Sequence, residues 1–335
     1  MSVAKTFVIY PSRSKTAKTA NAFLHSHEVR GSSRDTIRAY AYDLLSMLRW
    51  LEESKLKFEK ITDRELFAWI EIQRAQSSEP ASINRRLSTG YSFFKYAFGR
   101  PIARSNEVLY GRESRHRKRS PQFQGIANRR GPGSRNLRVK VPNRMVRVLA
   151  ADEVKAFLKI TNRYRDVSII LLMLFCGLRS CEVLSIRISD VEIERQRLRV
   201  IGKGNKERHL PFPARLGEAM GRYLRYERPN DSKTNRFFVV LQGKRKGEPM
   251  TREGLRRLFR YRREVTGIKD ARPHVFRHSF GTNMARQGVD LPVLQKMMGH
   301  ANFKMTLRYI NLAMEDVARE YERTIAKIER HYGES

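Results

Sequence analysis

Residues 273–310 read PHVFRHSFGTNMARQGVDLPVLQKMMGHANFKMTLRYI, and the rest of the chain is organised around this stretch. Pro273 suits the first turn of a helix, because its fixed φ is already helical and its missing N–H would be unpaired there anyway. His274 and Arg277 then stand at i and i+3, so one helical turn sets an imidazole beside a guanidinium. His300 and Tyr309 follow, separated by a short polar turn and the start of another helical pattern. Two imidazoles, a guanidinium and a phenol are the groups that attack on a phosphodiester requires. The arginine neutralises non-bridging oxygens, the histidines donate hydrogen bonds or a proton, and the phenol oxygen is the nucleophile.

Composition points to the same class of substrate. The chain has 335 residues, enough for two domains with real cores. Its 68 Lys and Arg against 34 Asp and Glu leave a formal charge of +34. So large a charge opposes compaction unless a polyanion screens it, which makes nucleic acid the first expected partner and an acidic membrane surface the second. The longest apolar run, Val167–Cys176, has the length of a core helix and not of a membrane span, and no signal-peptide core precedes the first helix. Cys176 and Cys181 have no metal-binding spacing, so a reduced, cytoplasmic chain is expected.

Residues 1–30 are basic, rich in Ser and Thr and weakly patterned, and read as a flexible tail or arm. A helical domain is expected over 31–102. It opens with Ser33 as N-cap, and Ile37, Tyr40, Leu44, Met47, Leu48 and Leu51 recur at three and four. Thr62 and Glu65 form a capping box, with Ile61 and Leu66 as its hydrophobic staple. A later helix, about Ala81 to Phe98, carries Arg85, Arg86 and Lys95 and stops at Gly99-Arg100-Pro101; its basic side fits DNA, and an ordinary solvated face fits equally well. Residues 103–147 read as a linker: from Gly111 to Arg147 there are twelve Lys or Arg, one acid (Glu113) and scattered Gly and Pro.

A second domain is expected over 148–335. An apolar helix, Val167 to Phe175, ends at Cys176-Gly177, and Leu178-Arg179-Ser180-Cys181-Glu182 opens the next. Leu198, Val200 and Ile201 lead into the turn Gly202-Lys203-Gly204-Asn205, and a return strand runs through Leu210 to Phe212. Arg252 to Val265 is helical and carries Arg252, Arg256, Arg257, Arg260, Arg262 and Arg263. Six guanidiniums on one short helix repel one another without phosphates nearby, so this helix is expected to face DNA. Over 313–330, Val317, Tyr321, Ile325 and Ile328 make one apolar stripe.

The ordered set H-x-x-R-H-S-F, Met298-Gly299-His300 and Tyr309 resembles the C-terminal box of the tyrosine recombinases, the phage integrase family, with Met298 where the family usually has Leu. Gly177-Leu178-Arg179 with Glu182 matches the family's G-L-R-x-x-E, and residues 202–208 match its G-K-G-x-K-x-R hairpin. The resemblance covers the chain from about Val148 onward, and the N-terminal part only as a similar helical segment. It implies a mainly α fold with a small antiparallel β-sheet, made of an N-terminal helical core-binding domain and a C-terminal catalytic domain. By this resemblance Arg179 and Arg277 clamp the scissile phosphate, Lys203 is the general acid to the leaving 5′ oxygen with Lys206 as its local competitor, and Glu182 supports the site. His274 and His300 hydrogen-bond the phosphate or nucleophile, and Tyr309 attacks to form a 3′-phosphotyrosyl link. Arg85, Arg86, Lys95, Arg252, Arg256, Arg257 and Arg260 are the candidate DNA contacts.

The resemblance implies double-stranded DNA as partner, four protomers on two DNA sites, an accessory bending or directionality factor as a further possibility, and neither metal nor other cofactor. The final helix packs on its own domain or docks into a neighbouring protomer, and the sequence leaves both open. The length leans toward integration, excision or transposition of a mobile element over chromosome-dimer resolution. A type IB topoisomerase, a DNA-binding protein without chemistry and a basic scaffold protein are the rivals. The H-x-x-R-H box and final helix argue against the first, and the complete ordered site argues against the other two.

Overall fold

Short polar caps and apolar stripes set out the N-terminal half as four helices. In the computed structural model, which describes residues 8–9, 14–103, 137–142, 147–202, 204–300, 305–307, 309, 321–322 and 324–325, the chain divides into two units, Met1–Asn143 and Arg144–Ser335. The first holds α1 (Lys15–Val29), α2 (Arg34–Glu53), α3 (Asp63–Ala75) and α4 (Pro80–Phe98). Ser33 caps α2 by accepting from the Thr36 amide. The Thr62–Glu65 capping box starts α3, the Thr62 amide donating to Glu65 Oε2 over 2.7 Å, with Ile61 and Leu66 buried beside it. Gly99 closes α4 at φ +67°, a left-handed cap that favours glycine. Trp50 stacks on Trp69 at 5.3 Å and Phe58 on Phe93 at 4.8 Å, so aromatic area dominates this core.

Two segments differ from the sequence reading. Within residues 1–30, Ser14 caps a regular helix whose Ala17, Ala20, Phe23 and Leu24 are buried. Phe23 packs against Tyr40, Phe93 and Tyr96, which makes α1 part of the core and not a flexible arm. Two of the four buried residues are alanine, so the stripe's hydropathy is low even though its fit is close. Within the basic stretch 103–147, Leu137 is buried in the same core, and the Asn84 side chain bonds both the N–H and the C=O of Val139 at 2.9 Å. The rest of that stretch, 104–136 and 143–146, lies outside the described residues.

The second unit holds α5 (Ala151–Lys159), α6 (Tyr164–Phe175), α7 (Ser180–Ser185), β1 (Val191–Glu192), β2 (Arg197–Ile201), β3 (Glu207–Pro211), α8 (Ala214–Arg222), α9 (Arg252–Thr266), α10 (Pro273–Arg286) and α11 (Leu291–Met298). Ile169–Met173 of α6 is fully buried on every side, which is why the sequence shows a continuous apolar run there and not a stripe. Helices α8 and α10 pack on it. Phe157, Phe259 and Phe276 from α5, α9 and α10 form an aromatic triangle with centroids 5.1–5.7 Å apart.

The sheet is antiparallel in the order β1-β2-β3, with Leu198 opposite Leu210 and Val200 opposite Arg208. The expected β2–β3 hairpin turns through Gly204 and Asn205, at φ +74° and +58°. No helix among the described residues is long and apolar enough to cross a membrane. Of the stripe expected over 313–330, Tyr321 and Ile325 are described, the first exposed and the second half-buried.

Candidate active site

One carboxylate gathers the cations. Glu182, third residue of α7 and 3% exposed, reaches back to the Arg179 amide at 2.8 Å and closes the helix N-terminus. Its oxygens also receive Arg179 Nη1 at 2.9 Å and Arg208 Nη1 and Nη2 at 3.1 and 3.0 Å, while Arg277 Nη1 lies 3.6 Å away. Burial alone would raise the Glu182 pKa. Hydrogen bonds from Arg208 and the Arg179 amide, with the charges of both arginines, outweigh it and hold the carboxylate below its usual range.

The same three arginines cap α11. Arg208 Nε donates to Met297 O at 2.9 Å, Arg277 Nη2 to Met298 O at 2.7 Å, and Arg179 Nη2 to Gly299 O at 3.1 Å. These are carbonyls that a helix C-terminus leaves unpaired, at the negative end of its dipole. Arg277 also donates to the Gly177 carbonyl. Gly177 sits at φ +63°, and a Cβ there would lie 2.4 Å from the Phe280 ring. Burial pushes the Arg277 pKa down to about 10, with the charge of Arg179 adding to the effect, so it remains a cation at neutral pH.

His300 and Tyr309 complete the cluster. His300 follows directly on the Arg-capped end of α11 and its Nδ1 lies 2.9 Å from the Thr306 hydroxyl. Its ring stacks on Tyr309 with centroids 6.0 Å apart and planes 10° from parallel. Burial, then Arg277 and Arg179, lower the His300 pKa to about 4. Folding therefore excludes a proton from this ring. The resulting stability is full above about pH 6.5 and is lost as pH falls toward the folded value of about 4. Thermal melting of the free protein between pH 7 and 4 is expected to fall more steeply for wild type than for His300→Gln; parallel curves would contradict a neutral buried ring.

Tyr309 is 2% exposed, and its hydroxyl lies 2.8 Å from His278 Nδ1. A Cβ on Gly281 would come within 2.8 Å of Tyr309 Cζ and 2.9 Å of Met298 Sδ, so the phenol ring occupies the space that this glycine leaves. Gly281→Ala is expected to cost about 1–3 kcal/mol by overpacking and to displace the phenol ring by about 1 Å, which is worth roughly 100-fold in the rate of any reaction at its hydroxyl. A variant that melts with wild type would mean the ring is not held there.

His274 stands at the rim in the first turn of α10, exposed, its pKa lowered by burial of the ring and then by Arg272. It lines a cleft of about 400 Å³ with Arg252, Arg256, Arg260, Arg263 and Arg272. Arg256, Arg257 and Arg260 also share Glu253, at 3.7, 3.9 and 3.3 Å. Arg262 corrects the reading of α9 as six DNA-facing guanidiniums: it is buried, bonding Thr161 Oγ1 and Asp166 Oδ2 at 2.8 Å each. In the first unit, Arg85 pairs with buried Asp43 at 2.9 Å and Arg86 donates to Gln73 Oε1 at 2.8 Å, while Lys95 is exposed. The first two arginines therefore have structural work whatever else they contact. Lys203 lies outside the described residues.

The structure thus brings together Arg179, Glu182, Arg277, His300 and Tyr309, with His274 at their rim. It adds two residues to which the sequence reading gave no role, Arg208 and His278. Arg208 was legible in part, since it shares the inward face of β3 with Leu210. An arginine there needs a buried carboxylate.

A tyrosine hydroxyl held against a histidine, near a buried arginine, is an arrangement that can break and remake a phosphodiester through the protein's own side chain. Residues 147–316 match the phage integrase family, and residues 21–100 match the phage integrase N-terminal SAM-like domain. The chain belongs to the phage integrase family, and it is a tyrosine-type site-specific recombinase. It is 27% identical to the tyrosine recombinase XerD of Proteus mirabilis over 293 residues, 85% of each chain. It is 25% identical to the tyrosine recombinase XerC of Staphylococcus epidermidis over 306 residues, 91% of this chain and 96% of that one. Among solved structures it is similar to the XerH recombinase bound to palindromic difH substrate, with TM-score 0.64, 20% identity and coverage of 91% and 85%. It is also similar to the Tn1549 transposon integrase in complex with circular intermediate DNA, with TM-score 0.61, 19% identity and coverage of 87% and 94%.

Proposed function

We propose that this protein cleaves and rejoins double-stranded DNA at a short specific site, Tyr309 attacking the scissile phosphate to leave a 3′-phosphotyrosyl link and a free 5′ hydroxyl. The observation that carries the reading is the seating of the Tyr309 hydroxyl against His278 and the His300 ring, beside the Glu182-linked arginines. A phenol of pKa roughly 10 attacks at neutral pH only where cations stabilise the developing charge. Arg179 and Arg277 would clamp the two non-bridging oxygens, Arg179 being the less buried of the pair. His274 and His300 would hydrogen-bond the phosphate, Glu182 would hold the clamp, and Lys203 would protonate the leaving 5′ oxygen. The phosphodiester energy is retained in the covalent link, so the exchange needs no nucleotide cofactor.

Arg252, Arg256, Arg257 and Arg260 would carry phosphates past the site, with Arg85, Arg86 and Lys95 engaging the same duplex. Assembly as four protomers on two sites, with the helix over 313–330 joining neighbours, follows the family resemblance, as does a role in moving a mobile element within a bacterial nucleoid. With six or more phosphate contacts, DNA affinity is expected to fall roughly 10³-fold between 50 and 200 mM salt. A change under tenfold would contradict this use of the basic surface.

The test is to incubate the protein, without metal or nucleotide, with sheared DNA flanking its coding sequence, then capture and sequence SDS-resistant adducts. Adducts at one site are expected. Salt-sensitive binding with no adduct would favour a DNA-binding protein without chemistry.

A further inference from the structure

The second histidine of the box, His278, is within hydrogen-bond reach of the Tyr309 hydroxyl. His278 is one turn beyond His274 on α10, the two rings 5.9 Å apart and nearly perpendicular. His278 Nδ1 lies 2.8 Å from the Tyr309 hydroxyl, with ring centroids 5.8 Å apart. His274, the imidazole that motif spacing singles out, stands exposed on the basic cleft instead. His300 approaches Tyr309 by its ring face, and its Nδ1 is engaged by Thr306. Helical placement fixes His278, and the space left by Gly281 on the same helix fixes the phenol against it. A hydroxyl that donates to Nδ1 requires the neutral tautomer with its proton on Nε2, which is a ring ready to receive a second proton.

We infer that His278 is a catalytic residue of this recombinase, positioning Tyr309 and accepting its proton as the phenol oxygen attacks. The inference rests on the proposed phosphotyrosyl chemistry. As the Oη–P bond forms and the P–O5′ bond breaks, the phenol proton passes to His278 Nδ1 and the leaving oxygen takes a proton from the general acid of the proposed reaction. In the reverse step His278 returns its proton to Tyr309 as the 5′ hydroxyl attacks. The imidazolium that forms meanwhile is balanced by the extra negative charge that the phosphorus centre gains.

The experiment measures SDS-resistant adduct formation on the same sheared flanking DNA by wild type, His278→Asn and His278→Phe, with melting temperature and DNA binding as controls. The asparagine side chain can still accept the hydroxyl at the Nδ1 position but cannot hold its proton. Both variants are expected to lose about 100-fold or more in rate. Replacing Tyr309 by 3-fluorotyrosine, a more acidic phenol, is expected to recover part of the loss in His278→Asn. An asparagine variant within threefold of wild type, or a loss that the acidic phenol leaves unchanged, overturns the proposal. Should the variants fail to fold, ¹⁵N NMR of wild type decides: Nδ1 of His278 is expected unprotonated at pH 7 and altered by Tyr309→Phe, and a protonated Nδ1 overturns it. Absence of adducts from wild type itself would instead strike the recombinase chemistry on which the inference rests.

Discussion

Tyr309→Phe is expected to abolish covalent DNA adducts while leaving the fold and DNA affinity nearly intact. The substitution keeps the ring that fills the space beside Gly281 and stacks on His300, and removes one oxygen. The lost hydrogen bond to His278 costs about 0.5–1.5 kcal/mol in stability. Affinity should barely move, because the phosphate contacts proposed for the exposed arginines would supply most of it. Rate is a different matter. No group can replace the oxygen proposed to form the bond to phosphorus, so adduct should fall below detection and not merely drop. Gel-resolved adduct assays at matched DNA occupancy separate these quantities. Persistent adduct in the phenylalanine variant would name another nucleophile. Lost binding would mean that the hydroxyl, 2% exposed with its residue in the free protein, takes part in seating DNA.

Local rules account for the parts that the sequence revealed. Pro273 and the i, i+3 spacing of His274 and Arg277 follow from helix geometry, and Arg179–Glu182 is both a motif and a cap on α7. The hairpin was legible because Gly204 and Asn205 supply the positive φ values its turn needs. Arg262 was misread through counting charges and not positions: with Leu255, Leu258 and Phe259 it falls on the buried stripe of α9, where an arginine requires a partner such as Asp166. Helix α1 was missed because two of its four buried residues, Ala17 and Ala20, carry little hydropathy signal, and its anchor Phe23 is fixed by Phe93, seventy residues away. His278 could not have been found this way. Its role depends on where a segment 31 residues later places one hydroxyl, and no periodicity encodes that.

Glu182→Gln is expected to cost more stability than any other shape-preserving substitution at the site. Glu182 and its partners Arg208 and Arg277 are each 7% exposed or less at the side chain, so the amide would leave two guanidiniums buried without their counter-charge. Breaking a buried ion pair from one side costs about 3–5 kcal/mol; at about 2–4 °C per kcal/mol for a unit this size, melting should fall by roughly 10 °C. Activity should fall further than stability explains. The same carboxylate sets Arg179 and Arg277, and those arginines with Arg208 hold the end of α11 from which His300 departs. One lost charge thus loosens Arg179, Arg277 and the His300 ring beside Tyr309, the groups proposed to clamp and attack the phosphate. Melting curves and adduct rates taken well below the transition separate the two losses. Adding Arg208→Met should return part of the stability, since an apolar side chain of similar length needs no counter-ion. It should return little activity, since Arg179 and Arg277 would still lack their common anchor. A Gln variant within about 1 kcal/mol of wild type would show that the carbonyls of α11 suffice to hold the arginines.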